Sequence, residues 1–189
     1  MPPVNTDELH ARRTGRPAGD RTPSPGHPAA HLLKHLLDRL VAVCGLIVTA
    51  PLIIALALAL RVLGPGPVLQ RDRRLGERSR IVGVLSFAID EQLQRRRGWR
   101  VIAGSGIVAL PQLWNVARGE LSLVGPRPRE LGLAPPPVRP GLTGLAQIEQ
   151  LVRRVTVSEA LELDDEYART WSLGLDARIV VRTMWRVLT

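Results

Sequence analysis

An uncharged apolar run from Leu40 to Leu60 constrains the fold of this 189-residue chain more than any other feature. About 20 apolar residues suffice to span a bilayer as a straight helix. Pro51 lies near the middle of the run, where it removes a helical hydrogen bond and favours a kink. Each half then extends roughly 16 Å at about 1.5 Å per residue, which is about half of the hydrocarbon core. The run therefore predicts a bent membrane element.

The charges on both sides of this run indicate its topology. Lys34 and Arg39 precede the run and Arg61 follows it. Basic residues tend to stay on the cytoplasmic side, so both ends are drawn to the same face of the membrane. We therefore predict a re-entrant helical hairpin over residues 31–63, inserted from the cytoplasmic face into the inner leaflet of the cell membrane. A spanning helix with a tolerated proline and a buried core helix of a soluble protein are the alternatives.

The segments on either side of the hairpin differ in composition. Residues 1–30 are rich in Pro, Gly, Arg and Thr and have no apolar period, which predicts a disordered tail. Residues 64–189 predict a small cytoplasmic domain of the α+β class, mainly helical, with amphipathic helices at the membrane interface. Alternating short apolar segments at 68–71 and 80–85 predict a β-hairpin at its start.

The charge balance limits the kinds of partner. Lys and Arg number 26 against 17 Asp and Glu, for a net charge of +9, which favours a membrane surface, a nucleotide diphosphate or nucleic acid. Nucleic acid is not predicted, because 3% aromatic residues offer no stacking platform for bases. All four histidines lie in the first 35 residues, so an ion bound elsewhere should be a hard cation on carboxylates, such as Mg²⁺.

Three motifs in the second half of the chain occur in a fixed order. They read Val-Ala-Leu-Pro-Gln-Leu-Trp-Asn-Val at 108–116, Gly-Pro-Arg-Pro at 125–128 and Val-Arg-Pro-Gly-Leu-Thr-Gly-Leu-Ala-Gln at 138–147. This order resembles the bacterial sugar transferase family, the monotopic polyprenyl-phosphate phosphoglycosyl transferases. The resemblance covers about residues 31–189. It includes Lys34 and Asp38 before the membrane, and Pro51 at the bend, where Ala50 replaces a serine whose hydroxyl would ease the bend.

This resemblance implies a reaction and its ligands. Members of the family transfer a sugar-1-phosphate from a UDP-sugar to polyprenyl phosphate, at the start of capsule, exopolysaccharide or glycoprotein glycan synthesis. An Asp of an Asp-Glu pair attacks the β-phosphate, and Mg²⁺ offsets the diphosphate charge. The resemblance therefore implies membrane lipid, polyprenyl phosphate and a UDP-sugar or UDP as partners, with Mg²⁺ as cofactor if the chain is active.

The Asp-Glu pair of the family corresponds to Val108 and Ala109 in this sequence, at the predicted start of an apolar helix. Neither side chain can attack phosphorus or bind Mg²⁺. Asp90 and Glu120 are the carboxylates that could substitute, and Asp90 could also contact a metal. The adjacent pair Asp90-Glu91 also fits the acidic start of a polar helix. The chain is then either a divergent active transferase or a pseudoenzyme that binds phosphate ligands or an active paralogue.

Four residues are candidates for binding phosphate or substrate. Arg127 lies in a rigid proline turn and Arg139 beside two predicted tight turns, and a guanidinium held in this way suits bidentate capture of phosphate. Thr143 and Gln147 belong to the same motif as Arg139, whose turn amides could point at an anion. Solvated arginines in proline turns are the alternative.

The last helix carries a basic stripe. Arg178, Arg182 and Arg186 recur at every fourth position among apolar residues, which predicts an amphipathic helix at the bilayer interface. Packing on the body with a solvated arginine stripe is the alternative. Together with Lys34, Asp38, Arg39 and Pro51, these arginines make up the predicted membrane residues.

Overall fold

The computed structural model describes residues 28–64, 66–89, 91–95, 97–104 and 106–188. Asp90, one of the two predicted substitute carboxylates, lies outside the described residues, as does the predicted tail up to residue 27. The first helix begins at Pro28, inside the segment predicted as tail.

Helices dominate the described residues, and two short two-stranded sheets accompany them. The helices are α1 (Pro28–Leu63), α2 (Glu91–Gln94), α3 (Arg97–Gly104), α4 (Gln112–Ala117), α5 (Leu145–Val152), α6 (Val157–Thr170) and α7 (Leu173–Leu188). The strands are β1 (Leu69–Leu75), β2 (Ile81–Phe87), β3 (Ser122–Val124) and β4 (Gly141–Thr143), and 3₁₀ turns occur at Glu77–Ser79 and Ile107–Ala109. The predicted mainly helical α+β fold is confirmed.

Helix α1 is continuous over 36 residues, and Pro51 lies inside it. Its length and apolar composition would allow it to cross a membrane. Ala50 has no hydroxyl, but Thr49, one position earlier, has one. The Oγ1 of Thr49 donates to the carbonyl of Gly45 at 2.7 Å. A hydroxyl bonded to the carbonyl four residues back bends a helix slightly, so Thr49 supplies such a bond next to the position where Ala50 has lost it.

Both halves of α1 pack against the rest of the chain. The first half contributes to what we call the central cluster, whose buried members are Ala42, Val82, Val84, Leu113, Val116 and Leu121. The second half contributes to the distal cluster, whose buried members are Leu56, Leu60, Phe87, Leu93 and Trp99. The opposite side of α1 stays exposed and apolar, as at Ile47, Val48 and Val62, which are 70%, 77% and 80% exposed.

Strands β1 and β2 form an antiparallel hairpin, paired from Leu69 with Phe87 to Leu75 with Ile81. The predicted hairpin is confirmed and extends further than the sequence segments indicate. Its turn contains Arg78 and Ser79, which both adopt left-handed backbone angles, with φ of 55° and 61°. This geometry matches the right-handed twist of a two-residue hairpin turn, where glycine or asparagine is usual.

The second sheet pairs β3 and β4 in parallel. The consecutive tight turns predicted around Gly141 are therefore wrong, because Gly141 begins a strand and its amide donates to the carbonyl of Pro126 at 2.9 Å. A Cβ on Gly141 would lie 2.1 Å from the backbone nitrogen of Gly125, so only glycine permits this approach. The amide of Gly141 is consequently not available to an anion.

Candidate functional site

The two positions that correspond to the catalytic pair, Val108 and Ala109, lie in the 3₁₀ turn Ile107–Ala109. The predicted apolar helical stretch is confirmed over Ile107–Ala117, as this 3₁₀ turn followed by α4, and Leu110 and Pro111 between them keep helical backbone angles. The turn follows Gly106, whose φ of 71° is left-handed. Val108 and Ala109 therefore lie in the first turn of this stretch, ahead of the six-residue α4.

The surroundings of Val108 are apolar. Its side chain packs against the distal cluster, together with Ile107 and Ile102. A carboxylate placed among such neighbours would be desolvated, which disfavours its charged form. Among the described residues, no group of three or more His, Cys, Asp or Glu side chains is arranged to hold a metal ion. The side chains of Val108 and Ala109 themselves supply no oxygen ligand for Mg²⁺.

Glu120, the second predicted substitute carboxylate, already has partners for both oxygens. The side-chain amide of Asn115 donates to Oε2 at 2.6 Å, and Nε of Arg118 lies 3.3 Å from Oε1. Asn115 is buried, and it also donates to the carbonyl of Gly83 at 2.9 Å and accepts from the amide of Leu85 at 3.0 Å. Glu120 thus belongs to the contact that joins α4 to β2.

Arg127 is held by a carboxylate of the protein itself. Its Nε lies 3.5 Å from Oδ2 of Asp164 on α6, and its backbone amide donates to Oδ1 at 3.3 Å. Burial raises the pKa of Asp164, and the positive charge of Arg127 opposes that rise. A phosphate bound by Arg127 would have to compete with this buried carboxylate.

The side chain of Thr143 contacts the last helix, and the side-chain oxygen of Gln147 is buried. Oγ1 of Thr143 lies 2.9 Å from Oγ1 of Thr183 on α7. Oε1 of Gln147 is buried and has no hydrogen-bond partner among the described residues. Neither residue lines the cavity that contains Arg139. Of the four predicted phosphate-binding residues, Arg139 alone lines this cavity.

Arg139 lines a cavity of about 400 Å³ at the beginning of α1. Its Nη1 lies 3.3 Å from Nδ1 of His35, which accepts the hydrogen bond in the neutral ring. Burial lowers the pKa of His35, and the positive charge of Arg139 lowers it further. The neutral form of His35 is therefore favoured in the folded chain.

Lys34 and Asp38 were predicted at the membrane boundary, but both side chains are buried against the body. The ammonium of Lys34 lies 2.6 Å from Asp176 on α7 and 3.5 Å from Asp38. The hydroxyl of Ser122 donates to Asp38. Burial raises the pKa of Tyr167, whose protonated phenol donates to Asp176 at 2.6 Å. This network fixes the beginning of α1 to β3, α6 and α7.

Spacing in the sequence could have revealed part of this arrangement. His31, Lys34, His35 and Asp38 recur at intervals of three and four residues, so they share one face of a helix. The leucines between them, at positions 32, 33, 36 and 37, are exposed. The start of α1 is therefore amphipathic, with a polar face turned inward and an apolar face turned outward.

The remaining predicted membrane residues lie at the surface where the structure describes them. Arg39 is exposed, and its guanidinium lies over Gly119. A Cβ added to Gly119 would lie 2.5 Å from Nη2 of Arg39. Arg178 and Arg182 are exposed on α7, whereas the side chain of Arg186 lies outside the described residues. Helix α7 packs on the body through the buried Ile179.

Comparison with known proteins identifies the chain from residue 29 onward. The family model described as bacterial sugar transferase matches residues 29–189. A UDP-glucose:undecaprenyl-phosphate glucose-1-phosphate transferase of Caulobacter vibrioides is 34% identical over 87% of this chain and 74% of its own length.

Two other relatives cover different shares of their own length. An undecaprenyl-phosphate glucose phosphotransferase of Komagataeibacter xylinus is 35% identical over 82% of this chain, but only 36% of that protein is matched. An exopolysaccharide production protein of Rhizobium leguminosarum is 28% identical over 84% of this chain and 96% of its own length. The family match and the Caulobacter relative agree with the three motifs, and the chain therefore belongs to the bacterial sugar transferase family.

Proposed function

We propose that this chain is a membrane-docked member of the family that does not carry out the sugar-phosphate transfer after which its relatives are named. The observation that carries the proposal is the environment of Val108, which packs on the distal cluster where a nucleophilic carboxylate is needed. Loss of a covalent nucleophile commonly costs about four or more orders of magnitude in rate. Glu120 does not compensate, because both its oxygens have partners within the protein.

Membrane docking from one side is supported by the spacing of contacts along α1. Residues from Lys34 to Leu60 contact the body at intervals, over roughly 40 Å of helix at about 1.5 Å per residue. Only residues 47–52 separate Leu46, which packs on the central cluster, from Ile53, which packs on the distal cluster. A crossing helix needs about 20 residues away from a domain on one side of the membrane. We therefore favour the re-entrant arrangement.

The exposed face of α7 supports contact with the inner leaflet. Arg178, Val181, Arg182 and Trp185 follow the spacing of one helical face, and Val181 and Trp185 are 67% and 70% exposed. Basic and large apolar side chains on one face suit the boundary between headgroups and acyl chains. Helix α7 therefore both packs on the body through Ile179 and presents a face to the cytoplasmic surface of the membrane.

The ligands in this proposal come from the chemistry of the relatives. Their names specify UDP-glucose and undecaprenyl phosphate, and one names exopolysaccharide production. We propose that this chain retains binding of such phosphate ligands in the same type of pathway without turning them over. Of the two predicted phosphate-binding arginines, Arg139 lacks a carboxylate partner among the described residues, whereas Arg127 is paired with Asp164.

The test is release of UMP from UDP-glucose in the presence of undecaprenyl phosphate and Mg²⁺. The Caulobacter relative, assayed in the same detergent, is the positive control. We expect no release above background from this chain. Turnover comparable with the relative that is abolished by Asp90→Asn or Glu120→Gln would identify the substitute nucleophile and contradict the proposal.

A further inference from the structure

The cavity beside Arg139 lies among four parts of the fold. The beginning of α1, the β1–β2 turn, the segment before β4 and the end of α6 contribute its walls. Its volume of about 400 Å³ falls within the range of about 300–1,000 Å³ that is typical of small-molecule sites. Its polar lining includes His31, His35, Glu77, Arg78, Arg139 and Arg169.

Positive charge in this cavity exceeds negative charge. Three arginines and one glutamate line it; Arg78 is paired with that glutamate, Glu77, at 3.7 Å, and the ammonium of Lys34 is paired with Asp176. Among the described residues, neither Arg139 nor Arg169 has a carboxylate within ion-pair distance. Burial lowers the pKa of Arg139, although Glu77 opposes that shift. A half-buried guanidinium without a carboxylate partner lacks a counter-ion, which favours the binding of an anion.

The backbone at the rim of the cavity is strained at the arginine that lines it. Arg78 has φ 55° and ψ 38°, and Ser79 has φ 61°. For residues other than glycine, asparagine and aspartate, this left-handed conformation costs roughly 1–2 kcal/mol per residue. Glycine would relieve the strain at either position, yet the chain has arginine at the position that lines the cavity. Strained residues of this kind concentrate at ligand clamps.

An aromatic contact makes the inner wall rigid. The ring of His31 stacks on Trp171, with centroids 4.3 Å apart and an interplanar angle of 17°. The indole of Trp171 donates to Asp176 at 3.1 Å, which holds it in place.

We propose that this cavity binds a phosphate-bearing anion through Arg139, Arg169 and Arg78, at a site separate from Val108 and Ala109. Guanidinium groups match the oxygen geometry of phosphate in a bidentate manner, which favours phosphate over other anions. The inference rests on the proposed function for the class of ligand only. It holds whether or not the chain transfers a sugar-phosphate, because positions 108 and 109 take no part in it.

Titration calorimetry of the full chain in detergent micelles, with inorganic pyrophosphate as the probe, tests the site. We expect saturable binding with one pyrophosphate per chain. Arg139→Ala should weaken it about tenfold or more, since a hydrogen bond to a charged group is lost. The matched control is Arg154→Ala, which removes an exposed arginine outside the cavity and should leave the affinity unchanged.

The strained turn supplies a second pair of variants. Arg78→Gly should raise the thermal midpoint and weaken pyrophosphate binding, whereas Ser79→Gly should raise the midpoint and leave binding unchanged. If the turn had only a structural role, Arg78→Gly and Ser79→Gly would have the same effect on pyrophosphate binding. If Arg139→Ala fails to fold, the same loss is measured with Arg169→Ala, whose side chain is exposed.

The source of the phosphate is distinguished by a sedimentation assay. Phosphatidylcholine vesicles with phosphatidic acid are compared with vesicles of phosphatidylcholine alone. If the chain sediments with the vesicles only when phosphatidic acid is present, and Arg139→Ala abolishes this, the phosphate belongs to a lipid headgroup. If the chain binds pyrophosphate alone, the phosphate belongs to a free phosphate compound. Binding of neither probe, or equal weakening by Arg154→Ala and Arg139→Ala, would overturn the inference.

Discussion

The buried ion pair between Lys34 and Asp176 tests how α1 is attached to the body. Asp176 is 8% exposed and accepts from Lys34 at 2.6 Å, from Tyr167 at 2.6 Å and from Trp171 at 3.1 Å. Removing one partner of a buried pair costs about 3–5 kcal/mol, because a charge is left buried without compensation. Asp38 remains 3.5 Å from the ammonium, so Asp176→Ala should cost about 3 kcal/mol, at the lower end of that range.

Urea unfolding in detergent micelles, followed by tryptophan fluorescence, measures this loss. Glu149→Ala is the control, since the Glu149–Arg153 pair has the same 2.6 Å distance but is exposed. Exposed pairs contribute little to the free energy of unfolding. The double variant Lys34→Met/Asp176→Ala should recover part of the loss. An equal loss in Asp176→Ala and Glu149→Ala would refute the view that the buried network holds α1 in place.

Three further predictions concern topology, pH and the catalytic positions. Single cysteines near residues 30 and 75, introduced after Cys44→Ser, should both resist periplasmic labelling in intact cells; labelling of one alone would contradict the hairpin. The pKa of His35 is lowered from 6.5, so the unfolded chain binds its proton more readily and stability should fall as pH drops below about 6.5. In His35→Gln this dependence should weaken, and an unchanged urea midpoint profile from pH 7.5 to 5.5 would exclude His35 as its source. Val108→Asp with Ala109→Glu should restore at most a trace of UMP release, because the distal cluster disfavours a charged carboxylate; activity near that of the Caulobacter relative would refute this.

Local patterns in the sequence identify the elements whose causes are local. The apolar run around Pro51 predicts a helical membrane element, although not that the helix continues unbroken through Pro51. Short apolar segments predict the β1–β2 hairpin, because strands depend on neighbouring residues. The face formed by His31, Lys34, His35 and Asp38 could also be read from spacing, since it follows the helical repeat. Each of these features is determined by residues that lie close together in the sequence.

Contacts between distant residues could not be predicted in this way. Lys34 and Asp176 lie 142 residues apart, and nothing near either one specifies the other. The parallel pairing of β3 with β4 likewise has no local pattern, so Gly141 looked like a turn residue. The motif containing Arg139 was recognisable, but only the fold shows that Arg127 faces Asp164 while Arg139 lines a cavity with His35.

We expect no side chain of this protein to become covalently attached to a sugar-phosphate. Intact-protein mass spectrometry tests it directly, after incubation with UDP-glucose and Mg²⁺ in the absence of polyprenyl phosphate. The Caulobacter relative treated in the same way is the control for adduct formation. We expect the mass of this chain to be unchanged. An increase equal to one hexose phosphate, mapped by peptide analysis to Asp90 or Glu120, would contradict the account.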